Sequence, residues 1–439
     1  MFSLPQTFEI STFTGEISKQ HQKDWLYLAP VAAVLAFVLF QLIFFSNYLD
    51  IDLGDITPTD KLDIQQGGNI FRQLVMSLAM VFSFIGLIVQ IKQKQYRRVN
   101  MALMIPFVVY CFASIAWSPV PFITLKRCIQ ILGLLAIALY AVQAQNHNEK
   151  ILQIIRTVLA AVVLTNLFVI ILFPGIGITP GTHEWRGYLQ HKNSLGAVTI
   201  LAVAVWLPAI FEKQSLRKKL AVAFLIAITL LLTFMSDSKT ALLINFVLIA
   251  IWLFIIVPLP FVLKMSLSGA MLVFLFLWFL NFQFASINDF TENIFARSAD
   301  LTGRTQLWGV VFDEFLSHPY FGVGYNGFWT SQIIESDWVT FQAHNGYLDI
   351  LNELGVVGAT FFFLTLVGLL VRIIRLMLRN PSGFLPYFLL FAGIVLHNFM
   401  ESNFCRAMTR NWFLYLLIYV IIFAIPFSKS SPRMQERHP

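Results

Sequence analysis

"HNGYLDILNELGVVGATFFFLTLVGLLVRIIRLMLR", from His344 to Arg379, decides the fold. It sets a histidine and an asparagine at the mouth of an apolar stretch too long for a soluble helix and closes it with three arginines. Roughly 18 apolar residues cross about 30 Å of hydrocarbon as a helix, and comparable runs recur along the chain. Of the 439 residues, 58% are hydrophobic and 12% charged, whereas soluble domains carry about a quarter charged residues. A spanning segment must satisfy its own backbone, which selects helices over a barrel for runs of this length. The reading is an all-α polytopic membrane protein, with residues 1–439 forming a single membrane domain.

The apolar runs predict about twelve spans, at residues 26–45, 73–91, 99–116, 128–145, 151–173, 193–211, 219–236, 239–257, 261–282, 346–371, 384–399 and 412–427. The first run follows a polar head containing Glu9, Glu16, Lys19 and Asp24, so it reads as an anchor rather than a cleaved signal. Short basic connections stay on the cytoplasmic side. Alternate connections are basic: "KQKQYRR" from Lys92, "EKQSLRKK" from Glu212, and Arg372, Arg375 and Arg379. Both termini are therefore expected in the cytoplasm. The pI near 9.3 then reflects topology and contact with membrane lipids, not nucleic acid. Cys111, Cys128 and Cys405 suggest no disulfide framework.

The outer connections hold basic residues that the charge rule would remove. They lie in "WSPVPFITLKR" (117–127), "HEWRGYLQHKNSLG" (183–196), "SDSKT" (236–240) and "GRTQLW" (303–308). The last belongs to the one long connection, residues 283–345, which ends at His344. A loop that long between spans usually has a function. Within it, Leu307, Trp308, Val311, Phe312, Phe315 and Leu316 recur at helical spacing, predicting a helix in the outer interface. Gly322, Gly324 and Gly327 match G-x-G-x-x-G, but no βαβ unit surrounds them, which excludes a dinucleotide site.

Cations and an imidazole at an outer boundary suit one chemistry. Arginine forks and ammonium groups hold phosphate oxygens, and a neutral imidazole takes a proton from a hydroxyl. Together they suit glycosyl transfer from a lipid-linked diphosphate to a sugar hydroxyl.

"WSPVP…TLKR", "WRGYLQHKNSLG", "SDSKT", "GRTQLW…HPYFGVGYNGF" and "HNGYLDILNELGVVG" together resemble the O-antigen ligase and Wzy-type polymerase superfamily, particularly its exopolysaccharide-polymerase branch. The resemblance implies a GT-C-like membrane glycosyltransferase of the bacterial inner membrane. It implies an undecaprenyl-diphosphate-linked donor, a periplasmic site, and neither metal nor other cofactor. By the same resemblance His344 activates the acceptor hydroxyl, Arg186 and Arg304 hold the diphosphate, and Asn345 fixes the loop beside the base. Lys239 stands where many relatives carry arginine and would keep the charge without the fork. The acceptor would be a lipid-linked repeat unit for a polymerase, or lipid A core or a protein hydroxyl for a ligase. A chain-length regulator is a possible partner.

Plainer readings stand beside these. His344 could be an interfacial histidine satisfied by backbone, and Arg186 and Arg304 headgroup anchors. Lys126 and Arg127 read mainly as anchors, with donor contact as the alternative. His191, Lys192 and Asn193 open a span at its dipole-positive end, suiting either an anion or an ordinary cap. Glu353, inside a span, needs a basic partner. His318 reads as turn structure, and Asp50 and Asp52 as part of a solvated acidic loop rather than a metal site. A reading of a different class is a transporter or flippase, against which the clustering of ionisable groups at outer span ends argues.

Overall fold

The computed structural model describes residues 32–42, 70–143, 147–260, 299–329 and 342–426, with a few isolated exceptions, and a handful of residues between 262 and 273. Among the described residues the chain is helical, relieved only by an isolated antiparallel bridge between Ile178 and Trp185. Helix α1 is Ala32–Leu42. There follow α2 (Ile70–Lys92), α3 (Met104–Ala113), α4 (Pro121–Ala141), α5 (His147–Leu172), α6 (Lys192–Trp206), α7 (Leu216–Met235) and α8 (Lys239–Ile256). Beyond these lie α9 (Ala299–Ser317), α10 (Gly346–Arg379), α11 (Pro381–His397) and α12 (Arg410–Phe423). Seven of the described helices are long and apolar enough to cross a membrane, so the protein is multi-pass. The expected ninth span, 261–282, and the acidic loop at 50–63 lie largely or wholly outside the described residues.

The bundle is organised about α12, whose side chains from Trp412 to Ile422 are all buried. A helix apolar on every side belongs inside. Phe107, Phe362, Phe404 and Tyr415 pack around Trp412, whose ring stacks on Tyr415 at 5.4 Å. At the periphery α2 exposes Leu74, Leu78, Val81, Phe84 and Ile85, the surface lipid would cover.

Two departures from the sequence expectation bear on the site. Helix α4 begins at Pro121, not at 128, because proline is favoured in the first turn and carries no N–H to leave unpaired. Lys126 and Arg127 thus sit on a helix, with Arg127 Nη1 donating to Gln130 at 3.1 Å. Helix α10 is broken at Gly355 (φ 63, ψ −174). The segment around "HPYFGVG" crosses the break and takes its unmet backbone groups. Val356 and Val357 N–H donate to the carbonyls of Pro319 and Tyr320 at 2.8 and 3.1 Å. Val323 and Gly324 N–H donate to those of Asn352 and Glu353 at 3.1 and 2.8 Å, and Tyr110 Oη to that of Leu354 at 3.0 Å. A Cβ on Gly355 would lie 2.4 Å from Tyr320 O, and one on Gly322 (φ 68) 2.5 Å from the Glu353 backbone. The glycines of the loop therefore serve backbone-to-backbone docking. His318 and Pro319 open this strap.

Contacts between termini define the two ends of the bundle. At one, Gly346 N–H meets Asn398 O (2.8 Å) and Trp185 N–H meets Met235 O (2.9 Å). There too Arg410 Nη2 meets Ser194 O (3.4 Å) and Ser238 Oγ meets Asn193 Oδ1 (3.1 Å). At the other, Arg372 Nε meets Ile422 O (2.9 Å), and Asn100 N–H meets Phe423 O (3.2 Å). Tyr387 Oη donates to Asn148 O there as well.

Candidate active site

His344 stands immediately before α10 with φ 52, a left-handed conformation that a non-glycine residue keeps only when its surroundings impose it. Here they do. Ala343 O accepts from the Trp308 indole N–H at 2.7 Å, and Ala343 N–H donates to Asp349 Oδ1 at 3.2 Å. Asn345 N–H donates to Ser402 Oγ at 3.1 Å. The Asn345 side chain caps α10, accepting from Tyr347 and Leu348 N–H at 3.1 and 3.2 Å.

The imidazole Nδ1 lies 3.2 Å from Glu401 Oε2, a residue of the α11–α12 connection. Gln342 Nε2 lies 3.2 Å from the same nitrogen and 3.5 Å from Glu401 Oε2. An ionised carboxylate only accepts, so the Glu401 contact calls for the hydrogen on Nδ1 and leaves Nε2 as the basic nitrogen, the Gln342 amide then donating to Glu401. A carboxylate that fixes tautomer and ring orientation is what a general base requires.

Behind His344 lies a buried polar network. Asp349 Oδ1 also accepts from the Trp329 indole at 2.9 Å, and Oδ2 from Arg406 Nη2 at 2.8 Å. Burial works against the Arg406 charge, but Asp349 and Glu353 outweigh it and raise its hold on the proton. Glu353 Oε2 accepts from Asn326 N–H at 3.0 Å. Its partners are this loop peptide and the Arg406 and Arg127 charges. Tyr325 Oη and Asn326 Nδ2 both donate to Cys405 O, at 2.5 and 2.9 Å. Burial pushes the Tyr325 hydroxyl and the Cys405 thiol well up from their ordinary values.

A second cluster forms at the same end, where α6 and α8 begin side by side. Gly196 permits the approach, since a Cβ there would meet Ala241 Cβ at 2.6 Å and Ser238 Cβ at 2.8 Å. His191 caps α6, its Nδ1 accepting from Asn193 N–H at 3.2 Å. Lys192 Nζ pairs with Glu184 at 2.6 Å and stands 3.7 Å from Asp237. Lys239 is exposed on the first turn of α8. Arg186 is tied to the short turn after α5, its N–H donating to Gly177 O and its Nε to Ile176 O, both at 2.9 Å. The adjoining Trp185 N–H reaches the end of α7.

The two clusters adjoin through Arg410, which reaches Ser194 from the first turn of α12. Its neighbour Asn411 Nδ2 lies 3.2 Å from His397 Nδ1, at the end of α11. Arg127 lies on α4, apart from the α6–α8 group. Arg304 lies in α9 one turn before Trp308, so its helix is tied to the His344 peptide; its side chain is outside the described residues. The apolar stripe of α9 packs Leu307, Trp308 and Val311 against Phe328, Trp329 and Ala343, while Phe312 and Leu316 remain exposed.

Residues 221–363 match the family described as O-antigen ligase. Over 309 residues the chain is 26% identical to the exopolysaccharide production protein ExoQ of Rhizobium meliloti (strain 1021), covering 65% of this chain and 69% of the relative. Both findings support the likeness to the O-antigen ligase and Wzy-type superfamily. The matched segment runs from α7 into the inner part of α10, taking in Lys239, Arg304, His344, Asn345 and Glu353. Arg186 precedes it, and Glu401 and Arg406 follow it. Those last two escaped sequence reasoning. They lie in "ESNFCR", a short connection with no motif, whose only signal was an acid and a base together at a span end.

Proposed function

We propose that this protein is a periplasm-facing glycosyltransferase that moves glycan from undecaprenyl diphosphate to a sugar hydroxyl, polymerising O-antigen or exopolysaccharide repeat units. The observation that carries the reading is the His344–Glu401 pair at the bundle end where α6 and α8 present their N-termini and basic side chains. Nε2 of His344 takes the proton of the acceptor hydroxyl as that oxygen bonds to the anomeric carbon. The bond from that carbon to the diphosphate breaks, and its charge develops on undecaprenyl diphosphate. Arg186 and Arg304 meet that charge, with Lys239, Lys192 and the start of α6 at His191 and Asn193 in support; Arg127, which faces Tyr325, Arg406 and Glu353, is kept as a further donor contact. Such a site asks for neither metal nor other cofactor.

The wider frame is a GT-C-like bundle of about twelve spans in the bacterial inner membrane, with cytoplasmic termini and residues 283–345 as the periplasmic loop. A chain-length regulator would act outside the base pair. Likeness to an exopolysaccharide production protein favours polymerase; the family description favours ligase as the second reading.

The deciding experiment supplies purified full-length protein in nanodiscs with a synthetic undecaprenyl-diphosphate-linked repeat unit. The expected product is a lipid-linked dimer and longer chains, absent with His344→Ala at equal protein level. Products found only when lipid A core is added would establish the ligase instead. No transfer to either acceptor, with transbilayer movement of the lipid-linked unit, would sink both in favour of a flippase.

A further inference from the structure

Resting on the transferase reading, we infer that Arg406 is a positioning residue for the His344–Glu401 pair and acts through Asp349. Asp349 receives donors from three separate stretches of chain: the Trp329 indole (2.9 Å), the Ala343 peptide (3.2 Å) and the Arg406 guanidinium (2.8 Å). Its side chain is 4% exposed, and a carboxylate so buried stays ionised only with a cation against it.

Arg406 stands on the same connection as Glu401 and Ser402. Glu401 reaches the imidazole and Ser402 accepts from the Asn345 peptide. One ion pair therefore ties the first turn of α10 to the segment that supplies the partner of the base. It also holds Ala343, the residue preceding the left-handed backbone of His344. Without Arg406, Asp349 either takes up a proton or turns towards water, and its bond to Ala343 goes with it. The connection slackens at the same moment, so imidazole and carboxylate lose their mutual registry from both sides. Arg406 needs no contact with the reacting atoms for this. Glu401 and Arg406 on the connection, Asp349 on α10 and Arg304 on α9 are ionisable groups of the elements packed around His344.

The test compares wild type, Arg406→Gln, Arg406→Lys and Glu401→Gln as full-length proteins in nanodiscs, each checked for a cooperative melt. With the undecaprenyl-diphosphate-linked repeat unit as substrate, Arg406→Gln is expected to lower kcat about 10- to 100-fold, the scale of a small misplacement. KM for the donor should stay within about threefold, as for an interaction made only at the transition state. Arg406→Lys, which keeps the charge without the fork, should recover part of the loss. The second readout needs no substrate. Nitrogen NMR of ring-labelled histidine, assigned by difference from His344→Ala, should show the Nδ1–H tautomer in wild type. A tautomer mixture is expected in both Arg406→Gln and Glu401→Gln.

An unchanged tautomer in folded Arg406→Gln overturns the inference. So does a rise in KM with kcat intact, which would make Arg406 a donor contact. If Arg406→Gln does not fold, the spectrum and kcat of Arg406→Lys decide by the same criteria. Wild-type protein that makes no glycan, yet whose His344 tautomer depends on Arg406, supports the positioning role and overturns the transferase reading.

Discussion

Arginine is used differently at the two ends of the bundle. At the end carrying Arg372 and Arg156, guanidinium groups meet carbonyls where helices finish: Arg372 donates to Ile422 and Ile425 O, and Arg156 Nε to Val205 O at 3.1 Å. Arg156 also holds Glu212 through two bonds, at 3.0 and 2.7 Å. Cations there agree with the negative ends of the helix dipoles. At the other end α6, α8 and α12 begin with Lys192, Lys239 and Arg410 in their first turns, so these cations stand against the dipoles of the helices that carry them. Among the described residues several of those site-end bases are matched with acids: Lys192 with Glu184 and Asp237, Arg406 with Asp349, His344 with Glu401. A base set where the backbone disfavours it, with a carboxylate added to hold it, serves something other than bundle closure.

The sharpest way to break this contrast is His344→Ala. Loss of a general base should cut turnover by about 10²- to 10⁴-fold, while the melting temperature stays near wild type; retained turnover would return His344 to an interfacial role. Asp349→Ala should cost about 3–5 kcal/mol of stability, because it strands a buried guanidinium, and chemical denaturation in micelles would measure it. Its counterpart at the opposite end, Arg372→Ala, should cost about 1–3 kcal/mol through unmet carbonyls, leaving turnover per folded molecule unchanged. A fall in that turnover would erase the distinction between the ends.

A smaller effect sharpens the second cluster. Lys192→Gln should raise KM for the donor about tenfold, the worth of one charged hydrogen bond near 1.5 kcal/mol. Asp237→Asn, which removes a rival carboxylate, should lower it; equal behaviour of the two variants would argue that Lys192 is purely structural. The least effect is expected at Cys405. Burial pushes its thiol up, so it should resist maleimide over minutes at neutral pH and react on unfolding.

Much of the bundle was legible because hydropathy reports helices directly. The expected start of the span at 239 coincides with α8, and the span expected from 346 begins where α10 does. The departures have local causes. Lys126 and Arg127 look like loop residues to a hydropathy reading, yet a proline at the first position of α4 carries the helix through them. The break at Gly355 was invisible, since glycines are common in spanning helices and nothing local shows which one will be crossed by another strand of backbone. In the site, the order of short motifs pointed to His344 and Asn345. Glu401, Asp349 and Arg406 became legible only in three dimensions, because contacts spanning 57 positions leave no spacing to read.

The interruption at Gly355 also divides the labour of α10. From Val356 to Arg379 the inner segment alone is about 36 Å long at 1.5 Å per residue, enough to traverse the hydrocarbon unaided. The first two and a half turns, with Asp349 and Glu353, are thereby not needed for the crossing and can serve the contacts with the strap and the α11–α12 connection. Two carboxylates that would be a burden in lipid become the mortar between a loop and a membrane anchor.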